Sequence, residues 1–152
     1  MINIQSKLPS VNTTIFSVMS KLASEYHAIN LSQGFPDYGC DPKLIELVNQ
    51  AMTDGFNQYA PMPGNMALKE AIAEKVEDNY AIKYDPDTEI TVTAGGTQAI
   101  FTALTAIINS GDEVIIFEPA YDCYATTVKL MGGLVKTYEL APPNYGIDWD
   151  MV

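Results

Sequence analysis

Ile90-Thr91-Val92-Thr93-Ala94-Gly95-Gly96-Thr97-Gln98-Ala99-Ile100-Phe101 reads, in immediate succession, as a strand, a glycine turn and the opening of a helix. Ile90, Val92 and the β-branched Thr91 and Thr93 favour extended backbone, and Gly95-Gly96 permit torsions and close approach that side chains forbid. Beyond them apolar residues fall at Ile100, Phe101, Leu104, Ile107 and Ile108, the spacing of one covered helix face. A helix that starts here leaves the backbone N–H groups of Gly96, Thr97 and Gln98 without intrahelical acceptors, at the positive end of the helix dipole. That arrangement holds a phosphate without a cation. The same turn is equally an ordinary tight link between a strand and a helix. Neither the Walker spacing with its lysine nor the G-x-G-x-x-G dinucleotide spacing is present, so a phosphorylated ligand of another kind is wanted.

Working outward, Glu113-Val114-Ile115-Ile116-Phe117 follows the turn Ser110-Gly111-Asp112 as a continuous apolar strand of the sort buried on both faces in parallel sheets. Asp122 is placed to cap a helix running to Met131, Gly132-Gly133 stop it, and residues 134–140 form a third strand. After Pro142-Pro143, residues 147–152 read as the start of a new element. Upstream, residues 1–12 are polar and read as an extended arm, and apolar spacing predicts a helix over 14–26. Ser32-Gln33-Gly34-Phe35-Pro36-Asp37-Tyr38-Gly39 is a loop. Asp41-Pro42 then starts a helix, with an aspartate cap and proline at the first helical position, and Leu44, Val48, Ala51 and Met52 mark its inner face. A second loop, Asn57-Gln58-Tyr59-Ala60-Pro61-Met62-Pro63-Gly64, leads into a helix over 66–79 with Leu68, Ile72 and Val76 inward. Strand, helix, strand, helix, strand predicts an α/β/α sandwich with right-handed crossovers.

The composition narrows the partners. Of 152 residues, 47% are apolar or aromatic, enough for a packed domain. A formal charge of −11 and a pI near 4.2 argue against nucleic acid and anionic membranes. All 8 basic residues are lysines, so the chain carries no bidentate arginine clamp for a carboxylate or phosphate. The two cysteines, Cys40 and Cys123, lack metal-type spacing and read as reduced thiols, and no run is long and apolar enough to cross a bilayer. A soluble cytoplasmic protein is expected.

Four motifs in order now carry a resemblance: Ser32-Gln33-Gly34-Phe35-Pro36-Asp37; Asn57-Gln58-Tyr59 with Gly64; Thr93-Ala94-Gly95-Gly96-Thr97-Gln98-Ala99; and Gly111-Asp112-Glu113-Val114 followed by Glu118-Pro119-Ala120-Tyr121-Asp122-Cys123-Tyr124. Together they resemble the amino-terminal part of class I aminotransferases of the fold-type I pyridoxal-phosphate (PLP) group, most of all the methionine and kynurenine branch. The resemblance implies a cofactor, PLP, and roles for individual residues. Gly96 and Thr97, with Gln98 next along, match the phosphate-cradling turn. Tyr121 matches the aromatic ring stacked on the pyridine, and Tyr59 the tyrosine that reaches the cofactor phosphate of the neighbouring subunit, which implies a homodimer with shared sites. Gly34 matches the glycine beside the substrate carboxylate, and Phe16 falls near an aromatic of the side-chain pocket, although its helical spacing also suits a core residue. Asp122 and Tyr124 are read as cap and packing.

The implied organisation is an arm and helix over 1–31, part of the small domain, and an incomplete large PLP-binding domain over 32–152. The implied activity is transfer of an amino group from a methionine-type or aromatic amino acid to a 2-oxo acid. A PLP-dependent carbon–sulfur lyase of the same fold and a non-catalytic truncated module are the alternatives. The family's Schiff-base lysine, the aspartate on the pyridinium nitrogen and the carboxylate-clamping arginine all match positions beyond Val152. No catalytic residue of the family therefore falls within 1–152, and the chain by itself is expected to be an inactive fragment. In the family sheet the strand matching 90–94 is separated from that matching 114–117 by strands later in sequence. The chain alone is therefore expected to leave apolar edges open and to be unstable.

Overall fold

The computed structural model describes residues 4–9, 11–34 and 36–152, so part of the expected arm and Phe35 of the first loop lie outside the described residues. The chain divides into two compact units, Ile15–Val92 and Thr93–Val152, the latter with the described residues before Ile15.

The first unit contains three helices, α1 (Ile15–Glu25), α2 (Pro42–Thr53) and α3 (Met66–Tyr80). Local chemistry sets the helix starts. Asp41 accepts a hydrogen bond from the Lys43 N–H at 2.7 Å with Pro42 first in the helix, and Asn65 accepts from the Ala67 N–H at 3.0 Å. Gly64, just before α3, has φ +113, and a Cβ there would lie 2.6 Å from Val92 Cγ2, so both torsion and space demand glycine. Val92 N–H donates to the Pro63 carbonyl beside it.

The inner faces depart from the sequence pattern. On α3 the covered stripe is Lys69, Ile72, Ala73 and Val76, an i, i+3, i+4, i+7 set, while Leu68 is 48% exposed. Ile72 and Val76 lie inward as the spacing predicts, and the departure is at Leu68, where the neighbouring Lys69, at 2% exposure, is covered instead and donates its ammonium to the Asp87 carbonyl at 3.1 Å. Leu44, Val48 and Met52 of α2 remain about half exposed, at 52%, 49% and 51%. The inner face expected on α2 is thus not covered by the described residues, with Ala51 alone of the four partly buried.

The second unit runs α4 (Gly96–Ile107), β1 (Glu113–Glu118), α5 (Cys123–Leu130) and β2 (Leu134–Glu139). β1 and β2 pair in parallel, from Glu113 opposite Leu134 to Glu118 opposite Glu139, with α5 as the crossover. α5 packs on both strands and on α4. Ile116 and Val128 are the buried apolar side chains among the described residues. Phe117 meets Tyr138 and Trp149 edge to face, with ring centroids at 5.8 and 6.2 Å, and the Asp148 N–H donates to the Tyr138 hydroxyl at 3.1 Å. Residues 147–152 thus fold back on the sheet through turns, without the helix or strand that the sequence suggested.

Two further expectations are corrected. Residues 90–94 do not form a strand, because a strand requires lateral backbone pairing and these residues have no strand neighbour among the described ones. Asp122 occupies the cap position of α5, but its carboxylate makes no capping bond because its own backbone is already helical.

Candidate functional site

The turn that opens α4 is fixed from both sides. Gly95, at the cap position, has φ +93, a torsion that only glycine adopts freely. Its N–H donates to the Thr93 carbonyl at 2.8 Å, and the Thr93 hydroxyl donates to the Gly95 carbonyl at 3.0 Å. Gln98, in the first helical turn, reaches back and accepts from the Ala94 N–H at 2.6 Å. No side chain caps the amides of the first turn, and Ala99 is the first residue whose N–H reaches back to a helix acceptor, Gly95 O at 3.2 Å. The backbone at Gly96 is open: a Cβ there would meet nothing within 4 Å. The Gly96, Thr97 and Gln98 amides therefore face outward at a dipole end, the geometry that takes up an anion.

Tyr121 comes from the segment after β1. Its hydroxyl lies 3.2 Å from the Thr97 hydroxyl, so the ring is tied directly to the turn. Tyr124 supports it edge to face at 5.9 Å and 71°. The ring keeps 45% of its surface exposed, leaving area for a stacked heterocycle. Beside the turn an open cleft of about 490 Å³ is lined by Ala94, Thr97 and Gln98 on the α4 side and by Cys123, Thr126 and Thr127 on the α5 side. Burial, aided by the negative charge of Asp122, pushes the Cys123 thiol up, which keeps it neutral and unsuited to nucleophilic work. The donor set is neutral amides and hydroxyls next to an aromatic face. It fits a phosphate ester carried on a flat ring.

The structure thus brings Gly96, Thr97, Gln98 and Tyr121 together in one unit. Phe16, Gly34 and Tyr59 lie in the other, on separate elements: Phe16 half-buried on α1, Gly34 in the loop that follows, and Tyr59 fully exposed at 102%. No hydrogen bond or ring contact joins these three among the described residues. At Gly34 a Cβ would meet nothing within 4 Å. The link between the Thr97 and Tyr121 hydroxyls was not legible beforehand, because residues 24 apart carry no periodic signal. The back-bond from Gln98 had only a partial signal: glutamine in the third helical position can reach back to the cap residue's N–H, but here the cap is Gly95, whose N–H is taken by the Thr93 carbonyl, and Gln98 accepts instead from Ala94, one residue earlier.

Comparison with known proteins now bears on this geometry. The model of the family "Aminotransferase class I and II" matches residues 26–152. The chain is 52% identical over 145 residues to the methionine aminotransferase of Escherichia coli K12, covering 95% of this chain and 38% of that protein. It is 40% identical over 145 residues to a probable N-succinyldiaminopimelate aminotransferase, DapC, of Mycobacterium tuberculosis, covering 95% and 36%. Among solved structures, Escherichia coli YbdL, described as having a methionine aminotransferase function, superposes with a TM-score of 0.93 at 50% identity, over 99% of this chain and 40% of that one. The chain belongs to the class I and II aminotransferase family. Its fold is the amino-terminal part of the fold-type I aminotransferase α/β architecture, and it spans little more than a third of the length of the curated relatives it matches. Among the described residues no helix is long and apolar enough to cross a membrane.

Proposed function

We propose that this chain supplies the phosphate and ring seat of pyridoxal 5′-phosphate in an aminotransferase that moves an amino group from a methionine-type or aromatic amino acid to a 2-oxo acid. The observation that carries the reading is the 3.2 Å link between Thr97, at the uncapped start of α4, and Tyr121. It ties the hydroxyl of an aromatic ring to a residue of the anion seat, and a phosphorylated pyridine requires a ring and a phosphate seat held together. Gly96, Thr97 and Gln98 would bind the phosphate through their main-chain N–H groups, and Tyr121 would hold the ring and fix its tilt. Carbanion stabilisation and carriage of the amino group are the cofactor's chemistry when it is bound. These residues bind and orient; within 1–152 none is assigned to proton transfer.

Family membership supports the remaining assignments. Gly34 lies beside the substrate carboxylate, where its open backbone leaves room. Phe16 lines the side-chain pocket. Tyr59, wholly exposed on its own chain, reaches the cofactor phosphate of a second copy in a homodimer. Residues 1–31 belong to a small domain and 32–152 to a large cofactor-binding domain. Cys40 and Cys123 are both free thiols, which suits the cytoplasm.

The test is amino transfer by the protein at its full natural length, measured with PLP over a panel of amino-acid donors against a 2-oxo acid. Turnover with methionine or an aromatic donor that is lost in G96P, which removes one of the seat's amides, supports the proposal. Absence of transfer from every donor, or a G96P variant that binds PLP as tightly as the parent, refutes it.

A further inference from the structure

The first-turn amides of α4 hold a phosphate only if the turn before them keeps its shape. The side chain of Gln98 occupies one bond of that turn. Its partner is the N–H of Ala94, a donor, so only the carboxamide oxygen can face it, and the acceptor assignment follows from chemistry. The bond, at 2.6 Å, spans Gly95 and Gly96, the residues with the greatest backbone freedom in the segment. It also satisfies an amide that no neighbouring strand takes up, since residues 90–94 join no sheet among the described residues, although the Val92 N–H bonds to the Pro63 carbonyl.

We infer that the Gln98 side chain is a positioning residue, which closes the 94–98 turn through its Oε1 and so keeps the Gly96, Thr97 and Gln98 amides aimed at the phosphate, instead of contacting the phosphate through its own amide donors. The inference rests on the proposed PLP seat and adds to it a division of labour within one residue: the main chain binds and the side chain braces.

Glutamate and leucine separate the two roles. Q98E keeps an oxygen for the Ala94 N–H, loses both side-chain donors and adds a negative charge that opposes a phosphate. Q98L keeps the length and loses the bond. The protein at its full natural length, freed of cofactor, is titrated with pyridoxal 5′-phosphate and with unphosphorylated pyridoxal by quenching of protein fluorescence, and the dissociation constant for pyridoxal divided by that for pyridoxal 5′-phosphate reports the phosphate contribution alone. Q98L is expected to lower that ratio about five- to tenfold, the effect of one lost hydrogen bond, and Q98E to retain it within about threefold. Thermal melts of the variants show whether each is folded. A Q98E ratio at or below that of Q98L, or a Q98L ratio equal to the parent's, overturns the positioning role. If Q98L does not fold, the glutamate variant decides alone: a retained ratio supports the role and a lost one overturns it. A parent protein that binds both ligands equally refutes the phosphate seat itself and this inference with it, a result distinct from a parent with strong preference and an indifferent Q98L.

Discussion

Thr97 and Tyr121 offer a quantitative test, because one bond joins the residue proposed to cradle the phosphate to the ring proposed to stack on the cofactor. The O···O distance of 3.2 Å is longer than the 2.7–2.8 Å usual for hydroxyl pairs, and the bond is exposed, so its net value lies at the low end for a neutral hydrogen bond, about 0.5–1 kcal/mol. That corresponds to about two- to fivefold in a dissociation constant. Y121F removes the hydroxyl and keeps the ring; T97V removes the partner and keeps the shape. PLP affinity is measured for the parent protein, both single variants and the double variant. Y121F should weaken binding about two- to fivefold in the parent and have almost no effect in the T97V background, since the bond is already gone. Y121L, which also removes the stacking face, should cost a further 0.5–1.5 kcal/mol or about that. Full multiplicative effects in the double variant would show that the two hydroxyls act independently, and the geometric link would carry no functional weight.

G95A places a Cβ on a residue with φ +93 and should destabilise the turn by about 1–2 kcal/mol, seen as a lower melting temperature together with weaker PLP binding. K69M leaves the Asp87 carbonyl without its donor and should cost about 1–3 kcal/mol in denaturant unfolding, with K69R recovering part; an unchanged midpoint in K69M would refute a role for the clamp. The Asp85 carboxyl is held below its ordinary value chiefly by the Asp87 N–H, and by the Thr88 hydroxyl. A depressed carboxylate stabilises the fold above the unfolded-state pKa, near 3.9, and that stabilisation is lost as pH falls through the lower folded value. D85N should therefore flatten the acid limb of the stability profile below about pH 4 and leave its neutral plateau shifted downward. The 152 residues produced alone should show neither amino transfer nor a cooperative melt, since Ile116 and Val128 are the buried apolar side chains among those described; a sharp melt with full secondary structure would count against this.

What could be read from sequence was the local chemistry. Asp41-Pro42, Gly95 and the apolar run at 113–117 each determine backbone state through their own atoms, and the helices and parallel strands follow them closely. What could not be read depends on partners far away in sequence. Residues 90–94 have strand-forming side chains, yet a strand requires a ladder with another strand, and the Val92 and Ala94 N–H groups bond instead to the Pro63 carbonyl and the Gln98 side chain. On α3 Ile72 and Val76 follow the apolar pattern, whereas Lys69, which periodicity counts as polar, is buried with its ammonium on a main-chain carbonyl that no pattern announces. The site divides in the same way: the turn at 95–98 was legible from its glycines, and the hydroxyl of Tyr121 reaching Thr97 was not.

The pairing of Glu113 with Leu134 joins positions 21 apart, bridged by a short helix packed on both strands. Such a closed loop has low contact order, and its entropy of closure is small. Residues 113–139 can accordingly assemble from neighbouring sequence before distant segments arrive, and serve as the nucleus on which the turn at 94–98 is later seated. Slowing of refolding by substitutions at Val128, with little effect from changes in α2, would be the kinetic imprint of that order.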